Sequence, residues 1–351
     1  MYKEKDGGFS SLGEFLVRTR KTCDGEVRDT RLLGKTTGHM EVGDDSQGGF
    51  LVPEQWADGI YNLALENSIV RSRATVIKAT SDSLKVRTVI DSDRSSSLFG
   101  GVTFAWTAEA GAKTSAISTA AHGTVELTPH KLVGSCFVSN ELEDDYGSFG
   151  TYMEQVFGQG IAFIEDAAFI NGNGSGQPLG ILSSELMVSA TRNAVDAVDW
   201  PDFANMAKRL LPDSWNRAVW LINPDVIDEL LEATASAANQ AAMFNASNMT
   251  ILGRPIIVTE KCPAMGTKGD VILADFGAGH YLIADREMRI AGSRHVNWED
   301  TSENETYGFI TDETFWKVVL RVDGQPVTGA DITPHKGAND VGPFICLSTS
   351  S

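Results

Sequence analysis

The chain has 351 residues, 42% hydrophobic and 22% charged, with a formal net charge of −18, which allows two compact domains and a substantial core. No apolar run approaches the roughly 18–20 residues that span a bilayer, and Met1–Asp6 lacks the apolar core of a secretion signal. An acidic total argues against sequence-specific nucleic-acid recognition, which works through a basic face. An acidic wall can still enclose DNA without gripping it, and the same charge serves solubility.

Residues 1–48 read as an arm, rich in Gly, Asp, Thr and Lys and near neutral, with eight Lys/Arg against nine Asp/Glu. The remaining chain therefore carries nearly all of the negative charge. One short helix is expected in the arm. Ser10 or Ser11 would cap it, Leu12, Phe15 and Leu16 would share a face, and Arg18 to Lys21 would sit at its C-terminal end. Such a helix cannot bury its face alone, so it must dock on a neighbour or on the body of its own chain.

Gly48 to Pro53 opens the body. Pro53 suits a first helical turn, and Trp56, Ile60, Leu63 and Ala64 follow at helical spacing. Residues 69–89 read as strand, with alternation from Ser83 to Val89. Residues 90–123 turn small and polar around Phe104-Ala-Trp106, and both ends of this segment read as strands. A two-stranded excursion of this length is uncommon and tends to be functional. An isolated hairpin is marginal in water, so this one should lean on another surface.

Strand resumes from Thr124 to Asn140. The strongest periodicity in the chain then runs through Phe149, Tyr152, Met153, Val156, Phe157, Gly160, Ile161, Ile164, Ala167 and Ala168. It predicts a helix of about 22 residues and about 33 Å. Gly172, Gly174 and Gly176 supply a stop, and Pro178 prevents the helix from resuming.

From about residue 195 helices and strands alternate. Phe203, Met206, Ala207, Leu210 and Leu211 mark a helix, and Ala218 to Ile222 a buried strand. Asn223-Pro224 caps a helix carrying Val226, Ile227, Leu230 and Leu231. Ile251 to Val258 reads as strand, turn, strand; Val271 to Asp275 and Tyr281 to Ala284 as further strands; Tyr307 to Val322 as β, with Phe315 to Leu320 central.

The chemistry of an enzyme is not recognisable. Gly172-x-Gly174-x-Gly176 follows a helix, lacks the Gly-Lys-Ser/Thr ending of a P-loop and does not match the dinucleotide fingerprint. Asp91-x-Asp93-x-Ser95 begins like a calcium loop, but Ser96 replaces the sharp-turn glycine and Val102 the bidentate acid. The acids of Glu141 to Asp145 precede the long helix, where its dipole favours them. The six histidines show no metal-ligand spacing, and no nucleophile elbow is present. Cys23, Cys136, Cys262 and Cys346 are far apart and read as reduced structural thiols. No cofactor or metal is expected.

Several segments resemble one family in its order. They are Ser11-Leu-Gly-Glu-Phe-Leu16, Gly48-Gly-Phe-Leu-Val-Pro53, Ile164-Glu-Asp-Ala-Ala-Phe169, Gly172-Asn-Gly-Ser-Gly-Gln-Pro-Leu-Gly-Ile181 and Leu252-Gly-Arg-Pro255. Together they resemble the major capsid proteins of tailed bacteriophages. The resemblance covers nearly the whole chain, is most specific between about 48 and 182, and is weakest over 336–351.

It implies an α+β, Hong Kong 97-like fold. Residues 1–48 would be the N-terminal arm and 80–128 the extended loop. The peripheral domain would comprise 49–79, 129–194 with the long spine helix, and the C-terminal β segment and tail, 286–351. The axial domain would be 195–285. The implied function is a self-assembling shell of pentamers and hexamers around double-stranded DNA, with scaffolding, portal and decoration proteins as further partners, and the virion as destination after assembly in host cytoplasm.

Phe15, Leu16, Phe99, Phe104 and Trp106 are the candidates for contact between subunits; packing of the loop aromatics within their own subunit is the alternative. The short arm leaves scaffolding to a separate protein or to a segment removed before this numbering begins. Lys113 and Asn339 stand where partners of an isopeptide crosslink would be sought, but no residue context supports the link. An encapsulin-like compartment shares the implied fold, and an α/β enzyme is the rival of another class.

Overall fold

The computed structural model describes residues 8–25, 27, 29, 31–32, 50–51, 68–89, 91–95, 106, 122–144, 146–194, 197–235, 244–245, 248–295, 297–299, 305–307, 312–327, 329 and 331–349. The expected helix at 56–64, Phe99, Phe104 and Lys113 lie outside the described residues.

The elements follow in chain order. Helix α1 (Leu12–Cys23) is capped by Ser11, whose hydroxyl accepts the Glu14 N–H at 3.2 Å. Glu14 in turn accepts the Ser10 N–H at 2.9 Å, and Arg20 and Lys21 stand in the last turn, where the helix dipole favours cations. Strands β1 (Phe50–Leu51), β2 (Thr75–Lys78), β3 (Leu84–Val89), β4 (His122–Leu127) and β5 (His130–Ser139) come next. Helices α2 (Asn140–Asp144) and α3 (Tyr146–Asn171) follow. The chain continues with β6 (Met187–Ala190), α4 (Trp200–Ala207), β7 (Val219–Ile222) and α5 (Ile227–Ala235). Then come β8 (Phe244–Asn245), β9 (Thr250–Ile251), β10 (Arg254–Val258), β11 (Val271–Ala274) and β12 (Tyr281–Asp285). The last strands are β13 (Arg289–Ser293), β14 (Asn297–Glu299), β15 (Glu305–Tyr307), β16 (Glu313–Pro326) and β17 (Phe344–Leu347).

Two compact units result, one of residues 1–68, 130–165 and 285–322, the other of 69–129, 166–284 and 323–351. In the first, β16 is central, as the apolar run Phe315 to Leu320 predicts. It pairs antiparallel with β13 on one side and β5 on the other, and β1 borders β13. Trp316, Val318 and Leu320 point to the covered face and are at most 1% exposed. Helix α3 lies on that face, with the Phe149 and Trp316 ring centroids 5.6 Å apart.

The helix is 26 residues long, somewhat more than its periodicity suggests. Its buried stripe is narrower than expected. Phe149, Met153, Phe157 and Ile161 are buried, whereas Tyr152 and Ile164 remain 47% and 49% exposed. The covering sheet reaches only one side of the helix, so the flanking apolar positions stay at the surface.

The second unit is built on a seven-stranded mixed sheet in the order β6-β17-β11-β7-β10-β9-β8. Every residue of β7, β11 and β17 is buried, which accounts for their unbroken apolar sequences. Trp200 and Phe203 of α4 pack on Trp220, together with Val226 and Leu230. The Trp220 indole N–H donates to the Ile251 carbonyl at 3.1 Å.

Two strands of this sheet come from outside the segment 195–285. Met187–Ala190 and Phe344–Leu347 fall outside 195–285, yet β17 pairs with β11 and β6 with β17. A strand buried on both faces carries no alternation to say which sheet it enters, so sequence alone leaves the partner open.

The glycine-rich segment ends α3 as predicted. The Gly172 N–H closes on the Ala168 carbonyl at 2.7 Å, and the Gly180 N–H on the Gly172 carbonyl at 2.9 Å. A β-carbon on Gly172 would stand 2.1 Å from the Pro178 carbonyl oxygen, so only glycine fits. Leu179 then donates to Gly324, and its carbonyl accepts the Tyr281 hydroxyl at 2.8 Å.

Candidate inter-subunit surfaces

The arm helix is anchored within its own unit. Phe15 and Leu16 are 1% and 0% exposed, so they fill the subunit's core and are not a free contact surface for a neighbour. Of the two docking modes open to this helix, the structure takes the body of the same chain. Close approach makes that possible: a β-carbon on Gly150 of α3 would lie 2.8 Å from the Gly13 nitrogen of α1.

A buried polar network secures the far end of the helix. The Arg20 guanidinium donates to Glu143 at 2.8 Å, and both side chains are at most 2% exposed. Arg294 reaches the other Glu143 oxygen at 3.3 Å, and the Thr314 hydroxyl donates to it at 2.7 Å. Asp24 accepts from the Ser293 hydroxyl at 2.6 Å. Glu143, one of the acids ahead of the long helix, is therefore an internal ion-pair centre.

Two strands flank the segment read as an excursion. β3 and β4 pair antiparallel over six residues, from Leu84↔Leu127 to Val89↔His122. At its base Val125 and Leu127 join Leu282, Ala284 and Ala79 in a small core. The Thr128 N–H donates to the buried Asp323 carboxylate at 2.7 Å. Farther out, Val89 is 50% exposed, and Trp106 is fully exposed at 105%. Of the three aromatics proposed for this loop, Trp106 alone is described, and its indole meets water.

An apolar surface missed in the sequence lies on the open face of the first unit's sheet. Val133 and Phe137 of β5 are 46% and 41% exposed. They pair directly with Val319 and Phe315 of β16, and the two phenyl centroids are 5.1 Å apart. The signal was available: β5 is apolar in both registers, with Leu132 and Cys136 on one face and Val133 and Phe137 on the other.

The acids that could suggest catalysis have structural partners. Asp166 accepts the Ile69 and Val70 N–H groups at 2.7 and 3.0 Å. Asp270 binds Arg192 at 2.6 Å and the Gly266 N–H at 2.9 Å, and Asp275 binds Arg217 at 2.9 Å. Asp91 holds Arg94 at 2.7 Å, and Asp93 accepts from the Ser95 N–H at 2.7 Å, as in a solvated turn. Burial pushes the thiol of Cys136 up to about 11 and that of Cys262 up to about 12, which suppresses their thiolates. Burial likewise lowers His280, and it stays neutral at physiological pH. Among the described residues no three His, Cys, Asp or Glu side chains gather as a metal site would require, and no helix is long and apolar enough to cross a membrane.

Comparison with known proteins agrees with this architecture. The sequence model of the phage capsid family matches residues 48–337. Among solved structures, the capsid of a native GTA particle is 16% identical, with a TM-score of 0.58 over 81% of this chain and 91% of that chain. A chain from Mycobacterium phage Adephagia is 14% identical, with a TM-score of 0.55 over 81% and 90%. One from Mycobacterium phage Cain is 15% identical, with a TM-score of 0.53 over 80% and 90%. At such identities these likenesses establish the fold, the α+β, Hong Kong 97-like arrangement. A search of curated protein sequences finds no match.

Proposed function

The chain belongs to the phage capsid family and is a major capsid protein, and from that premise we propose that its copies close into pentamers and hexamers of an icosahedral shell around double-stranded DNA. The observation that carries this reading is the presence of two exposed apolar features in one chain. A hairpin bears a fully exposed Trp106, and a sheet leaves Val133 and Phe137 facing water. An exposed indole and exposed apolar side chains on a sheet face have the character of association surfaces. In this proposal the extended loop, with Phe99, Phe104 and Trp106, lies on the sheet of an adjacent subunit. Many modest contacts of this kind then sum to a stable shell.

The subunit acts as a building block and not as a catalyst. Its buried acids hold backbone N–H groups and arginines, and its net charge of −18 suits a wall that contains DNA without binding it. Assembly in the host cytoplasm, with scaffolding and portal proteins as partners, and residence in the virion complete the proposal. The division into arm, loop, peripheral and axial domains is retained, with β6 and β17 moved to the axial sheet.

Negative-stain electron microscopy of the protein, expressed alone and then with its neighbouring morphogenetic genes, tests the reading. Closed angular shells that package DNA are the expected result. Shells filled by an enzyme would favour the encapsulin-like alternative. Dispersed oligomers under both conditions would overturn the shell function.

A further inference from the structure

Strand β5 is a margin of the first unit's sheet. It runs for ten residues and pairs with β16 without interruption, from His130↔Val322 to Ser139↔Glu313. Among the described residues no strand lies on its other side. The exposure pattern agrees. Trp316, Val318 and Leu320 of β16 are at most 1% exposed. Their direct partners on the same face, Cys136, Gly134 and Leu132, are only half-buried.

The phase of the ladder shows which backbone groups this margin presents. The Asn140 N–H donates to the Asp312 carbonyl at 3.0 Å, one step beyond the last pair. Hydrogen-bonded and non-hydrogen-bonded pairs alternate along an antiparallel ladder. Val138, Cys136, Gly134 and Leu132 therefore bond to β16, whereas Lys131, Val133, Ser135, Phe137 and Ser139 turn their N–H and C=O groups outward.

Natural proteins blunt such edges with charge, proline, a bulge or a short strand. Over 132–139 β5 carries no charged residue and no proline, and its register with β16 has no bulge. Lys131 stands at the start of the strand, and Pro129 precedes it.

We infer that this edge receives the same edge of a second copy of the chain, antiparallel about a two-fold axis through Ser135. In that register every outward residue meets an outward residue. Ser135 lies opposite Ser135, Val133 opposite Phe137 and Lys131 opposite Ser139, which adds about ten backbone hydrogen bonds. The side chains fit the same register. Val133 and Phe137, 46% and 41% exposed, cover each other across the axis. Lys131 meets a serine instead of a second lysine, and the exposed Glu141 of the other copy stands two residues farther on. On the inner face Leu132 comes opposite Val138 and Gly134 opposite Cys136, closing the half-buried margin. A shift of two residues either way sets Phe137 against Lys131 or Ser135 and loses these matches.

A contact of this kind is isologous, so it joins two copies and removes both edges. The inference rests on the shell-subunit reading above and gives this contact a place in it, between one pentamer or hexamer and the next.

Full-length S135C protein, assembled and mildly oxidised, tests it. Hydrogen-bonded partners stand about 5.5 Å apart at Cα, and a disulfide needs less than about 7 Å. The expected result is a reducible dimer and no higher species on a denaturing gel. Wild type and S139C should stay monomeric, because the two copies of position 139 stand about 26 Å apart in this register. Normal particles by microscopy without the dimer would overturn the inference and leave the shell function standing. A dimer in protein that never forms shells would support the contact and sink the shell function. Neither dimer nor shell would overturn both. Proline gives an independent readout, since S135P removes an outward N–H and no bond to β16. The urea midpoint of dispersed S135P subunits should match wild type, while particle yield falls roughly tenfold or more. Full particle yield from S135P would also overturn the assignment.

Discussion

The sheets of the two units solve opposite problems. In the second unit β7, β11 and β17 are buried at every residue, and a tryptophan-rich core fills the space between sheet and helices. In the first, β5 alternates half-buried and exposed residues along most of its length, and its exposed set includes valine and phenylalanine. One sheet is complete within the chain, whereas the other is covered on one face and leaves valine and phenylalanine among the lysines and serines of the second. The difference teaches where the chain keeps its own stability and where it holds surface in reserve for other copies.

The sharpest way to break this comparison is in the complete sheet. Trp220→Ala removes a fully buried indole and strands the Ile251 carbonyl that it satisfies. A loss of about 4–5 kcal/mol is expected, read by urea unfolding of dispersed subunits. A much smaller loss would mean that the second unit does not carry the stability ascribed to it.

The arm comes next. Glu143→Ala removes the nearer carboxylate of the buried Arg20, which keeps Asp24 at 3.8 Å, and Arg294 loses a contact too. A loss of about 3 kcal/mol is expected, with faster proteolytic cleavage in α1 than in wild type. Unchanged cleavage would show that Phe15 and Leu16 alone hold the helix down.

The smallest effect on the subunit should come from the open face. Phe137→Ser removes a half-exposed ring, so subunit stability should change by no more than about 0.5 kcal/mol. Particle yield, measured by sedimentation, should nevertheless fall severalfold. A variant that assembles normally would show that this face is not held in reserve.

How much of this was legible in the sequence follows the same division. Continuous apolar runs identify β7 and β11, helical spacing identifies α3, and the Asn223-Pro224 cap marks the start of its helix: the Asn223 side chain accepts the Asp225 N–H at 2.9 Å. These are local signals, carried by neighbours in the chain. The arm's docking is not local. Arg20 and Glu143 are 123 positions apart, and periodicity shows that Phe15 and Leu16 share a face without showing what covers it. The same limit hid the membership of β17 in the second sheet. It also led Tyr152 and Ile164 to be counted with the buried stripe, because spacing cannot reveal how far a covering sheet extends. Of the candidate contact residues that are described, Trp106 is exposed, whereas Phe15 and Leu16 belong to the core.

Trp106 gives the chain a natural optical reporter. Among the other tryptophans whose side chains are described, Trp220 and Trp316 are fully buried, Trp200 nearly so, and Trp215 half-buried, so their emission already reflects a mostly protein environment. An indole in water emits farther to the red and is open to collisional quenchers. Covering Trp106 would shift that component to the blue and shield it. Shell closure could then be followed in real time in the unlabelled protein, by the colour of its own fluorescence.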